Sequence, residues 1–366
     1  MTLKVIISGG GTGGHIFPAL SIANGLKQAV PDADILFVGA LGKMEMERVP
    51  AAGYKIVGLP VMGMPRKASP KFFKFLWMLF QSMRKARKVI KEFKPDVAIG
   101  VGGFASGPVL NAAVRAGVPA ILQEQNSYAG VTNKLLSAKV RKICVAYPKM
   151  ERYFPAEKLV LTGNPVRQNL LAPVDKAEAL KAYKLSAKQP AIFIVGGSLG
   201  ARSLNEFVLA NLELIAAQEV QVVWQTGKLY FAEMQERLKG KQPANLQVLE
   251  FLTDMDKAYK AADLLISRAG ASTISELCLL GKPAILVPSP NVAEDHQTKN
   301  AMALVERQAA VLVKDTDGKE QLFKQAFRLV HDKEQLALLA QNCKKMAKPN
   351  ATAEIVEVIL NELKKK

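Results

Sequence analysis

Val5-Ile6-Ile7-Ser8-Gly9-Gly10-Gly11-Thr12-Gly13-Gly14-His15-Ile16 is the stretch on which the fold turns. An apolar run rich in β-branched residues meets a cluster of glycines, and a helical pattern at Ile16, Leu20, Ala23 and Leu26 follows, which spells strand, glycine turn, helix. Glycines let the backbone approach a bound group closely, and the unpaired N–H groups and dipole at a helix start favour an anion. A phosphate or diphosphate is the natural guest. Gly9-x-Gly11-x-x-Gly14 also fits the dinucleotide fingerprint, which asks for an acid at the end of the second strand. That strand, Ile35-Leu36-Phe37-Val38, ends in Gly39-Ala40 with no carboxylate before Glu45, so a nicotinamide cofactor loses ground. The plainer reading, a tight strand-to-helix join and nothing more, is opposed by the polar groups of Thr12 and His15 at the rim.

Gly10-Gly11-Thr12-x-Gly14 recurs as Gly196-Gly197-Ser198-x-Gly200, after the strand-like Ala191-Ile192-Phe193-Ile194-Val195 and before a helix opening near Arg202. Two such units in one chain predict two similar α/β domains. The strand after the second copy, Val222-Val223-Trp224, again ends without an acid, in Gln225-Thr226-Gly227.

A chain of 366 residues accommodates two domains with separate cores. Cys144, Cys278 and Cys343 are odd in number and widely spaced, so neither a disulfide framework nor a zinc site is indicated, and a reducing compartment fits. Met1-Thr2-Leu3-Lys4 runs straight into the first strand, which leaves no room for a signal peptide, and no apolar run approaches the ~20 residues of a spanning helix. The net charge of +18 implies an anionic partner. Much of that charge is concentrated. Between Arg66 and Lys94 stand ten basic residues and one acid, Glu92, and six of the ten follow the apolar segment Phe72-Phe73-Lys74-Phe75-Leu76-Trp77-Met78-Leu79-Phe80.

Two readings of that segment stand. It is too short to span a bilayer and too apolar for an ordinary surface helix, which suits an interfacial helix drawn to anionic lipid by Arg84, Lys85, Arg87 and Lys88, with Phe72, Phe75, Trp77 and Leu79 dipping into the headgroups. Alternatively the helix is buried against its own sheet with a solvated basic end. Nucleic acid is disfavoured because the aromatics form a block and do not interleave with the basic residues.

Further on, Gly102-Gly103-Phe104-Ala105-Ser106-Gly107-Pro108 reads as another glycine loop opening a helix, and Gln123-Glu124-Gln125-Asn126 ends a buried strand where an open parallel sheet meets its ligand. A capped turn is the alternative there. Gly270-Ala271-Ser272-Thr273-Ile274-Ser275-Glu276 is a third helix start after a strand. Glu276, one turn in, can accept two hydrogen bonds from vicinal ribose hydroxyls or simply suit the helix dipole. Metal chemistry finds little support: of the Asp-x-Asp pairs, that at Asp32 precedes a strand, at the wrong end for a ligand, those at Asp254 and Asp315 sit at helix starts or turns, and His15, His296 and His331 lack ligand spacing.

Taken together, Gly10 to His15 with Pro18, the Gly102 to Pro108 loop, Glu124-Gln125-Asn126, Gly163-Asn164-Pro165-Val166-Arg167, Gly196-Gly197-Ser198-x-Gly200-Ala201-Arg202 and Arg268-x-Gly270-Ala271-x-Thr273-x-Ser275-Glu276 resemble the bacterial undecaprenyl-diphospho-muramoylpentapeptide N-acetylglucosaminyltransferases. The resemblance spans essentially the whole chain in order. It implies an α/β type B glycosyltransferase architecture, two Rossmann-like domains facing a cleft, and inverting transfer of N-acetylglucosamine from UDP-GlcNAc to lipid I, giving lipid II in peptidoglycan synthesis. The expected division is residues 1–163, which hold the acceptor and the membrane, residues 164–345, which hold UDP-GlcNAc, and a C-terminal helix within 346–366 packing back on the first domain.

By the same resemblance Thr12, Gly13, Gly14, Asn126, Arg167, Ser198, Leu252, Ala271, Ser272, Thr273, Ile274, Ser275, Glu276 and Gln297 contact the donor, Leu252 through its backbone. Gly10, Gly11, Gly103 and Ser106 surround the acceptor diphosphate. Where relatives carry a Gln pair this chain has His296-Gln297, which puts one sugar contact in doubt. No metal and no cofactor are expected. The implied partners are lipid I, UDP-GlcNAc, an anionic membrane surface at the cytoplasmic face and other cell-wall synthesis proteins. His15 is the side chain suited to accept the acceptor's proton near neutrality, with a purely orienting role as the alternative. Another UDP-sugar transferase or a UDP-GlcNAc epimerase of the same fold is the competing function.

Overall fold

Each of the two matching glycine turns follows the first strand of its own parallel sheet. The computed structural model describes residues 2–63, 71–167, 170, 172–197, 199–292 and 295–364; Arg66, Lys67 and Ser198 lie outside the described residues. The chain forms two compact units, one of Met1–Arg167 with Lys348–Lys366 and one of Gln168–Ala347.

The first unit contains strands β1 (Lys4–Ser8), β2 (Asp34–Ala40), β3 (Lys55–Leu59), β4 (Val97–Gly100), β5 (Ala120–Glu124), β6 (Lys142–Val145) and β7 (Leu159–Leu161), in the spatial order β3-β2-β1-β4-β5-β6-β7. All its pairings are parallel. Helices α1 (Gly13–Ala29), α2 (Glu45–Ala51), α3 (Lys71–Phe93) and α4 (Ser106–Arg115) are among its crossovers. In the second unit β8 (Ala191–Val195), β9 (Gln221–Gln225), β10 (Leu246–Leu249), β11 (Leu264–Ser267), β12 (Ala284–Leu286) and β13 (Val311–Leu312) lie in the order β10-β9-β8-β11-β12-β13, again parallel. The strand order reverses beside β1 in one sheet and beside β8 in the other, so both glycine loops stand at the switch point where a doubly wound sheet takes its ligand.

Parallel strands are covered on both faces, and alternate residues of one strand feed different cores. Ile6, Val38 and Ala98 face Ala86 and Ile90 of α3 and Val109 and Ala113 of α4. Val5, Ile7 and Phe37 face the other way, onto Ile22, Ala23 and Leu26 of α1 and onto Ile355 and Ile359 of the last helix, Ala351–Lys364. Each large aliphatic side chain so buried contributes about 1.5–3 kcal/mol. The last helix is also tied to this sheet at its C-terminal end, where Arg141 Nη1 donates to the carbonyl of Glu362 at 3.0 Å. In the second unit Trp224 is fully buried, and its indole N–H donates to Asn205 Oδ1 at 3.0 Å while Asn205 Nδ2 donates to the Thr226 carbonyl at 3.0 Å. That polar chain fixes the end of β9 beside the second glycine loop.

Candidate functional site

The first loop is held from below by a carboxylate that the sequence reading passed over. Glu45 opens α2 beyond the end of β2 and is 1 % exposed. Its Oε1 accepts from the Ala40 N–H at 2.9 Å, and its two oxygens lie 3.1 and 3.0 Å from the Gly11 N–H. A side chain on Gly10, where φ is +151°, would strike this carboxylate. Glu45 therefore occupies the region of the ribose-binding acid in a dinucleotide fold, but turns inward to the loop.

A second glycine loop closes on the first. At Gly103, φ is +82° and a Cβ would lie 2.3 Å from the Gly10 carbonyl oxygen, so only glycine lets the two backbones meet. Ser106 is fully buried, and its hydroxyl is placed to donate to the carbonyls of Ser8 at 2.7 Å and Gly102 at 2.8 Å. The family resemblance offered Gly10, Gly11, Gly103 and Ser106 to a diphosphate. In the structure the Gly11 N–H and the Ser106 hydroxyl already have internal acceptors, and Gly10 and Gly103 supply closeness between loops. The first turn of α1, at Gly13 and Gly14, retains the N–H groups that have no intrahelical acceptor.

Thr12 precedes that turn with an extended backbone, and its carbonyl accepts the N–H groups of His15 at 3.1 Å and Ile16 at 3.2 Å. Its hydroxyl does not cap the helix. It lies 3.1 Å from His15 Nδ1, and the other edge of the imidazole packs against Gly102. The ring is thus oriented from two sides.

At the end of β5, Gln123, Glu124 and the following Gln125 are buried and turned inward: Gln123 Nε2 donates to Asn164 Oδ1 at 2.9 Å, Gln125 Nε2 donates to the Val101 carbonyl at 2.8 Å, and Glu124 supplies acceptors for N–H groups of the loop. Glu124 takes hydrogen bonds from the N–H groups of Gly130 at 3.0 Å and Asn126 at 3.1 Å, and from the side-chain amides of Asn133 at 2.8 Å and Asn126 at 3.2 Å. Burial pushes its carboxyl above the usual carboxylate range, against the opposing pull of these four donors. Asn126 is the half-exposed member of the group, so the capped-turn reading describes the three residues before it. Arg167 lies with its guanidinium 5.4 Å from the ring of Phe17 on α1.

In the second unit the glycine turn is braced without charge. Gln225 Nε2 donates to the Gly197 carbonyl at 2.9 Å, and Gly200, at φ +84°, sits so close to Thr226 that a Cβ would lie 2.0 Å from its carbonyl oxygen. Beside it opens a cavity of about 690 Å³, whose walls include Gly196, Gly197, Arg202, Arg268, Thr273 and Gln297. Arg268 was legible only as part of a motif; the structure makes it the strut of this wall. Its Nη1 donates to the carbonyls of Val287 at 2.9 Å and Pro288 at 3.2 Å and to Asp315 Oδ1 at 2.5 Å, while Nη2 reaches the Ser203 hydroxyl. Asp315, which also accepts from Ser203 at 2.7 Å, is thereby committed to an ion pair.

Helix Ala271–Leu280 starts at the same cavity, from Gly270. Ser275 donates to the Ala271 carbonyl at 2.9 Å, and the Ser272 hydroxyl is buried without a hydrogen-bond partner among the described residues. Ala271 and Ile274 are buried. Glu276 is 5 % exposed, and its Oε2 accepts from the Tyr259 hydroxyl at 2.8 Å, a partner sequence reading missed because Tyr259 belongs to the preceding helix. Gln297 Oε1 accepts from the Ser289 N–H at 2.8 Å, which leaves its amide nitrogen as the group it can offer the cavity. Leu252, in the loop after β10, is buried.

On α3 the two readings divide the helix between them. Ser82, Ala86, Val89 and Ile90 are buried on one face of its second half, whereas Phe73 is 76 % exposed and Trp77 61 % exposed in the first. Phe72 and Leu79 are exposed and Phe75 is half-buried, and Arg84, Lys85, Arg87 and Lys88 are exposed. Burial against the sheet therefore describes only the basic half. Among the described residues no helix is long and apolar enough to cross a membrane.

Comparison with known proteins accords with this geometry. Residues 5–145 match the glycosyltransferase family 28 N-terminal domain and residues 191–356 the family 28 C-terminal domain. A relative from Parabacteroides distasonis, the UDP-N-acetylglucosamine–N-acetylmuramyl-(pentapeptide) pyrophosphoryl-undecaprenol N-acetylglucosamine transferase, is 56 % identical over 99 % of both chains. The crystal structure of Acinetobacter baumannii MurG is 33 % identical with a TM-score of 0.77, covering 98 % of this chain and 99 % of that one. A UDP-N-acetylglucosamine 2-epimerase structure shares the fold alone, at 16 % identity and TM-score 0.69, covering 100 % of this chain and 97 % of that one. The chain belongs to glycosyltransferase family 28 and, within it, to the UDP-N-acetylglucosamine–N-acetylmuramyl-(pentapeptide) pyrophosphoryl-undecaprenol N-acetylglucosamine transferases.

Proposed function

We propose that the chain moves N-acetylglucosamine from UDP-GlcNAc to the sugar hydroxyl of undecaprenyl-diphospho-muramoylpentapeptide in a single displacement. The acceptor oxygen bonds to the anomeric carbon as the bond to UDP breaks, so the configuration inverts; the electron pair leaves with the diphosphate, and the hydroxyl proton goes to His15. With Nδ1 donating to the Thr12 hydroxyl, Nε2 keeps a lone pair for that proton, and the Thr12 contact holds the tautomer.

The second-unit cavity supports the donor assignment and is the observation that carries the reading. It joins a glycine loop, the start of a helix, Gln297 and two arginines in about 690 Å³, a size and chemistry suited to a nucleotide sugar. The helix start at Ala271 with Thr273 and Arg202 offsets charge growing on the departing diphosphate. Glu276, held by Tyr259, takes the ribose hydroxyls. In the first unit Thr12, Gly13, Gly14, Asn126 and Arg167 are the residues offered to the donor, and the glycine loops around Gly10 and Gly103 those offered to the acceptor's diphosphate. The exposed aromatic half of α3 and its basic neighbours hold the protein on the anionic cytoplasmic face of the membrane, where a lipid acceptor resides and where other cell-wall synthesis proteins would meet it.

Incubation with UDP-[14C]GlcNAc and an acceptor analogue, with and without chelator, tests this. Chelator-insensitive transfer that yields a β-linked disaccharide is expected. Conversion of UDP-GlcNAc without acceptor would instead point to an epimerase.

A further inference from the structure

The exposed face of α3 is one continuous stripe. Phe73, Trp77, Phe80, Arg84, Arg87 and Lys91 follow one another in alternating steps of four and three, so they share a side of the helix, and Lys94 lies just past its end. The stripe runs ~30 Å along the axis and changes character midway, where the Arg84 guanidinium lies 5.8 Å from the ring of Phe80. At the basic end it meets α4. There Arg87, Lys91 and Lys94 join Arg115, from the C-terminal end of α4, around a cavity of about 480 Å³ with Ile90 and Ala112 among its apolar walls. None of the residues lining it is acidic. No ion pair engages the four cations among the described residues, and the sole acid of α3, Glu92, is paired with Lys88 at 3.7 Å.

Four cations gathered around a concavity repel one another, an arrangement that becomes favourable when a compact anion accepts their donors. We propose that this cavity between α3 and α4 is a seat for the phosphate of an anionic membrane lipid. Lipid is favoured over a soluble phosphate ester because the same helical stripe carries the exposed aromatics at its other end; a helix lying flat in the headgroup layer presents both to the bilayer at once. The inference rests on the membrane reading of α3 and adds a defined headgroup site, one of whose ligands, Arg115, is off that helix.

Its position makes Arg115 the discriminating residue. The full-length protein is sedimented with two sets of phosphatidylcholine vesicles of equal surface charge, one charged with phosphatidic acid and one with oleate. Arg115→Gln combined with Lys94→Gln should weaken binding to the phosphate vesicles by about tenfold more than to the carboxylate vesicles. Equal losses on both, or no loss, overturn the headgroup site and leave simple surface attraction. Phe73→Ser with Trp77→Ser should weaken both; if a folded double variant binds both sets unchanged, the membrane reading itself falls. In a third arm glycerol phosphate is titrated at constant ionic strength. Tight binding that depends on Arg115, without any preference between the vesicles, would assign the cavity to a soluble ester and overturn the lipid.

Discussion

The two glycine loops begin from nearly the same residues and are braced in opposite ways. Beneath the first lies a buried carboxylate, Glu45, which takes the Gly11 N–H. Under the second lie neutral groups, Gln225 and the backbone around Thr226 and Gly227, while Arg202 and Arg268 line the adjoining cavity. A carboxylate under a loop consumes donors and adds negative charge; a neutral brace adds none, and with Arg268 paired to Asp315 it is Arg202 and the helix start at Ala271 that are placed to meet a diphosphate. On the proposed reading one turn geometry serves two tasks, orienting a histidine in the first unit and receiving a charged leaving group in the second.

The largest effect should come from the residue the first loop orients. His15→Ala is expected to lower kcat by roughly 10²–10⁴ with little change in donor KM. If kcat at saturation holds and only acceptor KM rises, the first loop positions substrate and does not take the proton, and the contrast between the loops is one of binding alone.

How much of this was legible follows from the range over which each feature is encoded. Of the thirteen strands among the described residues eleven were readable, most plainly the mid-sheet runs β1, β4 and β8, because parallel strands covered on both faces need apolar residues. The two missed are β6, whose Ile143-Cys144-Val145 is short and flanked by Arg141 and Lys142, and β13, two residues long. Glycine loops are local and were readable. Their braces are not: Glu45 reaches back to Gly11, Tyr259 to Glu276 and Asp315 to Arg268 across turns of the chain that no spacing rule connects. A buried acid just past the second strand was the available signal for Glu45, and a cation inside the Arg268-x-Gly270 motif the signal for Arg268.

Next in size is the donor side. Glu276→Ala should weaken UDP-GlcNAc binding by about 1–3 kcal/mol, the cost of charged hydrogen bonds left unmade, with the acceptor KM unchanged. Tyr259→Phe, which removes only the brace, should cost about 1 kcal/mol in the same measurement. Isothermal titration with UDP separates the two. If Tyr259→Phe matches Glu276→Ala, the carboxylate works chiefly through the tyrosine and the ribose assignment fails.

A smaller change should follow at the brace of the first loop. In Glu45→Gln the amide oxygen can still accept one N–H, but its nitrogen then faces the other donor, so the loop carrying Thr12 and His15 loosens. The expected loss is about fivefold in kcat, near 1 kcal/mol, with donor KM held. A rise in donor KM at constant kcat would reverse the division of labour drawn between the loops.

The finest distinction concerns a second buried carboxylate in the same unit. Glu124 is surrounded by four N–H donors, as if it too were held charged, yet burial outweighs them and raises its pKa. The folded protein then binds a proton at a pH where the unfolded chain, near the ordinary glutamate value of about 4.3, does not. Within that window stability falls as pH rises, because the native state binds more protons than the unfolded one. Glu124→Gln cannot titrate. Urea midpoints taken stepwise from pH 7 down to the ordinary glutamate value should therefore show the parent gaining stability relative to the variant as pH falls. If the difference is flat, or grows toward neutrality, the four donors win over burial, and Glu124 is a charged brace of the same kind as Glu45.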